Sequence, residues 1–318
     1  MNDDYLWSGQ GEADPETAHL EQALSPFRYQ PTLPSNRFRA STHQRWVVPV
    51  VIAAAALVIA ATLITWRAGI GQSLSAWTIY TSTASPHLLR RGQIVETGPR
   101  ASARLESSAI GEVHVDPQSR IRLVKATKGE ERLALDHGTI HAFIWAPPRQ
   151  FVVDTPSAST VDLGCEYTLQ VALDGTGVLK VEMGWVAFQW KNLESFIPEG
   201  AGCRTRAGRG PGTPYFLDSS DGLRQALVRF DETNDPLAMA RVLSDARRRD
   251  ALTLWHLMTR TTGSERLKVF ARFAELVPLP PAVTSNRIVE GDPAALNAAW
   301  DALGFGTADW WRGWKRRW

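Results

Sequence analysis

Twenty-one consecutive residues without a charge, Trp46 to Trp66 (WVVPVVIAAAALVIAATLITW), constrain this chain more than any other feature. At about 1.5 Å of rise per residue, a helix of that length spans a hydrocarbon core of about 30 Å and satisfies its own backbone in lipid. Pro49 sits in the first turn, where a missing N–H costs little, and Trp46 and Trp66 fall where interfacial rings are favoured. A cleaved leader would be shorter, begin near Met1 and end in small residues. This run instead follows 45 residues and ends at Trp66-Arg67, so the sequence predicts a membrane-anchored protein with a single transmembrane helix over 46–66. Arg28, Arg37, Arg39 and Arg45 precede it and only Arg67 follows closely, a bias that keeps the amino terminus in the cytoplasm and puts the rest outside.

The inner part is small and acidic. Asp3, Asp4, Glu12, Asp14, Glu16 and Glu21 lie in residues 1–24 with no Lys or Arg, and no further acid occurs before Glu96. Residues 1–26 read as a cytoplasmic acidic helical segment, with a helix start at Asp14-Pro15-Glu16, and residues 27–45 as a Pro/Ser/Thr/Arg-rich linker. Tyr5, Leu6, Trp7, Leu20 and Leu24 give it an apolar stripe with no core to enter. Chains below about 40 residues seldom fold alone, so this segment is expected to order on a partner. An acidic, amphipathic helix complements a basic surface such as that of a transcription factor. In that reading Tyr5, Leu6, Trp7, Leu20 and Leu24 are anchors, and Asp3, Asp4, Glu16 and Glu21 the charge complement. The plain alternative is a solvated tail.

Period-two alternation takes over on the outer side. Val113 and Val115 alternate with Glu112, His114 and Asp116, and Ile121 and Leu123 with Arg120 and Arg122, in short runs bounded by Gly, Pro, Asp or Ser. Asp174-Gly175 marks a hairpin. Residues 77–200 are therefore predicted as an all-β sandwich or roll of around ten strands. Within it, RGQIVETG (Arg91 to Gly98), VHVDPQSRIRL (Val113 to Leu123), LALDHGTIHAFI (Leu133 to Ile144), FVVDTPSASTVDLGCEYTLQV (Phe151 to Val171) and VLKVEMGWVAF (Val178 to Phe188) resemble the FecR domain. The resemblance covers about a third of the chain. It implies a periplasmic β domain of a bacterial inner-membrane regulator that acts, as an anti-sigma factor, on an extracytoplasmic-function sigma factor. Cys165 departs from the Thr usual after Leu-Gly in that family, and its parity with Tyr167, Leu169 and Val171 points it inward.

Cys165 and Cys203 both fall on the oxidising side, and two readings stand: a disulfide, or two separate buried thiols. Residues 201–214, with Gly202, Gly208, Gly210 and Gly212, read as a Gly-rich linker and lack the Lys-Ser/Thr and the following helix of a phosphate loop. Residues 215–305 switch to a helical period, with starts at Asp235-Pro236, Gly263-Ser264-Glu265 and Asp292-Pro293 and stripes Leu252/Trp255/Met258 and Leu267/Phe270/Phe273/Val277, predicting a bundle of four or five helices. In the tail, 306–318, Trp310, Trp311, Arg312, Trp314, Lys315, Arg316 and Arg317 suit contact with membrane or envelope, or the tryptophans dock on the bundle.

Little in the sequence suggests catalysis. His137 and His141 are four apart with Gly138 between them, His114 neighbours Asp116 as a surface pair, and HExxH, CxxC and nucleophile-elbow motifs are missing. No metal or cofactor is expected. The expected function is a single-pass regulator that relays a periplasmic state to a sigma factor, or else an anchored envelope-binding module.

Overall fold

The computed structural model describes residues 15–25, 76–82 and 84–305. The chain divides into two units, residues 1–70 and 71–318. In the first, helix α1 (Pro15–Leu24) forms where the sequence predicts one. The expected span 46–66, the linker 27–45, the anchors Tyr5, Leu6 and Trp7, the charge complements Asp3 and Asp4 and the tail 306–318 lie outside the described residues, among which no helix is long and apolar enough to cross a membrane.

The second unit begins with one sheet of fourteen strands: β1 (Thr78–Thr81), β2 (His87–Leu88), β3 (Ile94–Glu96), β4 (Ala103–Ser107), β5 (Gly111–Val115), β6 (Arg120–Thr127), β7 (Glu130–Ile144), β8 (Phe151–Asp154), β9 (Ser159–Val171), β10 (Gly177–Trp190), β11 (Leu193–Pro198), β12 (Ala201–Arg206), β13 (Gly210–Pro211) and β14 (Tyr215–Phe216). Neighbours are antiparallel except β7 and β8, which run parallel with Glu131 opposite Phe151. Three strands are much longer than the runs read from sequence. β7 passes straight through Gly138, its first half pairing with β6 and β8 and its second with β5 and β9. Gly138 serves as a bend, not a terminator: its φ is +104° and a Cβ there would lie 2.1 Å from Ser119 Oγ. Because the long strands change partners midway, one sheet makes a roll with a shared interior. Leu105, Val113, Ile121, Leu133, Ile140, Phe151, Tyr167 and Leu179 are fully buried there, while the alternate residues face out.

Residues 201–214 differ from expectation. They are not a flexible connection: β12 pairs with β10, β13 and β14. The glycines allow close packing. A Cβ on Gly202 would stand 2.9 Å from Leu179 O, and one on Gly210 2.5 Å from the Trp190 ring.

Helices follow: α2 (Asp221–Thr233), α3 (Pro236–Asp245), a 3₁₀ turn (Arg248–Asp250), α4 (Ala251–Arg260), α5 (Gly263–Leu276), α6 (Ser285–Glu290) and α7 (Pro293–Asp301). The Asp-Pro starts act as read, with Asp235 and Asp292 accepting hydrogen bonds from Leu237 N and Ala294 N. Leu252, Trp255 and Met258 are buried, whereas Leu267, expected in a core stripe, is exposed. The helices cover one end of the sheet through Trp300 and Phe305, which meet Phe196, Trp185 and Phe216, with Trp255 packed edge-on against Trp300. His256 fastens the seam: its Nδ1 donates to Leu252 O at 3.0 Å, so Nε2 accepts the Phe196 N–H at 3.0 Å. The outer strand β11 is thereby tied to α4.

Candidate functional sites

Four groups of residues bear on function. The first is α1. Leu20 and Leu24 stand one turn apart on one face, 61% and 58% exposed, with Glu16 one turn before Leu20 and Glu21 beside it. The structure thus brings together four of the expected partner-binding residues as an exposed acidic-apolar strip.

The second is the entry to the β roll. Trp77, immediately before β1, is fully buried, packs against Phe151 at 5.8 Å and donates from Nε1 to Glu131 Oε2 at 3.0 Å. Burial raises the Glu131 carboxyl to about 7, and the Trp77 bond opposes that rise. Glu131 gives no signal in the sequence because, with Glu130 before it and Arg132 after it, it looks like one more charge at the solvated start of a strand.

The third surrounds the two cysteines. Both are free and buried, the second of the two readings. Cys165 pairs across the sheet with Gly184 of β10, and Cys203 on the other side of β10 with Leu179. Five residues of strand put them about 16 Å apart lengthwise and two strands apart laterally, beyond the roughly 7 Å Cα limit for a disulfide. Cys165 instead donates its thiol hydrogen to Asp162, which also accepts from Gly164 N at 2.7 Å. Burial lifts Asp162 to about 7 and Cys165 well above its usual range; Cys203 is pushed up to about 12. Thiols so disfavoured as thiolates are poor nucleophiles. The Leu-Gly signature is a bulge: Gly164 has φ +87°, and a Cβ on facing Gly184 would meet Gly164 O at 2.1 Å. Thr155 Oγ1 likewise closes the Asp-Thr-Pro loop through Ala158. The most specific sequence features therefore hold the fold.

The fourth is a cavity of about 430 Å³ where the β12–β13 hairpin meets α2 and the α4–α5 junction. Arg260, Thr213, Asp231, Arg206, Leu227 and Phe230 are among its lining residues.

On the outer sheet face, His141 pairs with Asp116 at 3.1 Å and Thr168 at 3.0 Å, and His114 with Glu112 at 2.7 Å. His137 and His141 do not converge with a third ligand, and no cluster able to hold a metal occurs among the described residues.

Residues 93–187, from just before β3 into β10, match the family described as FecR protein. This segment is a FecR domain. Two crystal structures of a candidate anti-sigma factor from Parabacteroides distasonis also match. One is 13% identical over 43% of this chain, with a TM-score of 0.34. The other is 14% identical over 48%, with a TM-score of 0.30. In each case the match spans 64% of the other chain's length. Comparison with curated proteins returns no match.

Proposed function

We propose that this protein is a single-pass inner-membrane regulator that carries the state of the periplasm to a sigma factor, with residues 46–66 as the anchor and the amino-terminal segment as the sigma-binding element. The FecR domain at residues 93–187 carries this reading, since the family it resembles regulates sigma factors. Two observations are consistent with it. The acidic strip Glu16, Leu20, Glu21 and Leu24 on α1 has the chemistry to cover a basic, partly apolar protein surface. Trp77, the first described core residue after the apolar run, is held by Glu131 inside the β domain, so that domain is ordered from its first strand onward. The mechanism is conditional sequestration: an outer event alters the position or survival of residues 1–26, and the sigma factor is held in one state and released in the other.

The test expresses the full chain with Leu20→Ala/Leu24→Ala and reads transcription from sigma-dependent promoters alongside co-purification of sigma factors. Burying a Leu contributes about 1.5–3 kcal/mol, so side chains already about 60% exposed alone supply about 1–2 kcal/mol each to a complex. Loss of sigma co-purification together with altered transcription is expected. Unchanged transcription and no sigma factor captured by the unaltered chain would refute the reading.

A second reading, an anchored envelope-binding module, is favoured by the cavity beside Arg260. Removing residues 1–30 separates the two, because a binding module keeps its role and a regulator loses control of transcription.

A further inference from the structure

The cavity between β12–β13 and the helices has a chemistry that neither the FecR pattern nor the sigma-factor reading assigns. The FecR match stops at residue 187, before any wall of the cavity except Thr176. Its 430 Å³ lies within the range of small-molecule sites, about 300–1,000 Å³. Leu193, Pro211, Tyr215, Leu227 and Phe230 supply an apolar surface.

Arg260 sets the polarity. Its Nη1 donates to Pro211 O at 3.3 Å and Thr213 Oγ1 at 3.2 Å, and its Nη2 to Ser195 Oγ at 2.5 Å and Glu194 O at 3.5 Å. Every one of these acceptors is neutral. Among the described residues no carboxylate pairs with Arg260, and its Nε–H is buried with no acceptor. The four Nη hydrogens are thus taken and Nε–H is the donor left for an anion; a charge-assisted N–H bond to a carboxylate oxygen would satisfy it, and a buried donor left unpaired costs about 1–3 kcal/mol. Two of the acids nearby are already engaged. Asp231 takes Thr213 N at 2.7 Å and Thr213 Oγ1 at 2.8 Å, and Glu232 pairs with Arg206. Arg204 and Arg209 stand with Arg206 along the β12–β13 side, so four arginines meet three carboxylates, Asp231, Glu232 and Glu265, two of which are occupied. The local balance favours an anion.

We propose that this cavity binds a small amphiphilic carboxylate, its carboxylate answered by Arg260 and its apolar body lying against Leu227, Phe230 and Tyr215. The binding stands without the sigma-factor reading. Two sources present that chemistry, a free aryl or alkyl acid and the carboxyl end of a peptide, and the experiment has an arm for each.

The full chain in lipid nanodiscs is titrated calorimetrically with 4-phenylbutyrate, with N-acetyl-Leu-Phe, and with the C-terminal amides of both, empty nanodiscs giving the lipid background. At least one acid is expected to bind at least about tenfold more tightly than its amide, the scale of one charge-assisted hydrogen-bond pair. Arg260→Lys keeps the charge but removes Nε–H and the planar fork, and should abolish that preference. Because Arg260 also braces β11 and β13, a second variant leaves it intact: Val228→Phe narrows the cavity wall and should weaken both acids while melting near the parent temperature. Equal binding of acid and amide, no binding of either acid up to 10-millimolar concentrations, or undiminished binding by Val228→Phe would overturn the proposal.

Discussion

Asp162 gives the sharpest test of how the β roll is held together. The residue is 1% exposed, its partners are the Gly164 N–H and the Cys165 thiol, and among the described residues no cation pairs with it. Burial therefore favours the neutral acid and raises the group from 3.8 to about 7. The direction of the stability effect follows. An unfolded Asp loses its proton near pH 4, whereas the folded chain keeps it to about pH 7, so the folded state binds more protons across that interval. Stability from this site is complete below about pH 4, falls as pH rises to about 7, and is flat above. Three pH units at about 1.4 kcal/mol each give a loss on the order of 4 kcal/mol. Asp162→Asn keeps an oxygen for Gly164 N–H and has no proton to lose. Its stability difference from the parent should change by about 1.4 kcal/mol per pH unit between pH 4 and 7, in favour of the variant as pH rises. Urea unfolding of the full chain in micelles, followed by tryptophan fluorescence, measures this, and the difference cancels contributions from Glu131, which has the same sign. A difference independent of pH would refute the account.

Other outcomes are equally definite. His256→Leu removes the acceptor of the Phe196 N–H at the seam and should cost about 1–3 kcal/mol, read as a lower melting temperature with loss of α4 protection in hydrogen exchange. Gly184→Ala places a methyl 2.1 Å from Gly164 O at φ +75°, and should lower the urea midpoint more than any surface alanine substitution. Both thiols should stay silent to a thiol reagent until denaturant is added, and reductant should leave the melting temperature unchanged. Asp292→Ala removes the cap of α7 and should cost about 1 kcal/mol by thermal unfolding.

Much of this architecture was legible in the sequence where local chemistry decides it. Asp-Pro pairs start helices because the carboxylate and the fixed φ both act within one turn, and alternation marks strands because one face is buried. What escaped depended on distant partners. A glycine inside a run, such as Gly138 or Gly184, signals a break when taken alone, yet Ser119 and Gly164 press on these two from across the sheet, so only glycine can continue the strand there. Residues 201–214 looked like a linker because their glycines signal freedom when read alone; the Leu179 carbonyl and the Trp190 ring give them a different purpose. The pairing of Cys165 with Cys203 was open in one dimension and is closed in three. Nothing in the spacing of Arg260, Thr213 and Asp231 announces a cavity, since the three meet only after the hairpin and helices fold together.

The boundary at residue 187 has a practical meaning for anyone isolating the FecR segment. It falls inside β10, midway along the pairing of Trp185–Trp190 with β11, and β11 in turn surrenders the Phe196 amide to a histidine sixty positions downstream. Truncation there would leave a raw strand margin and a bare patch of aromatic core, an invitation to self-association. The length that the FecR pattern matches and the length that shares one core are different, and the longer one takes in Trp300 and Phe305.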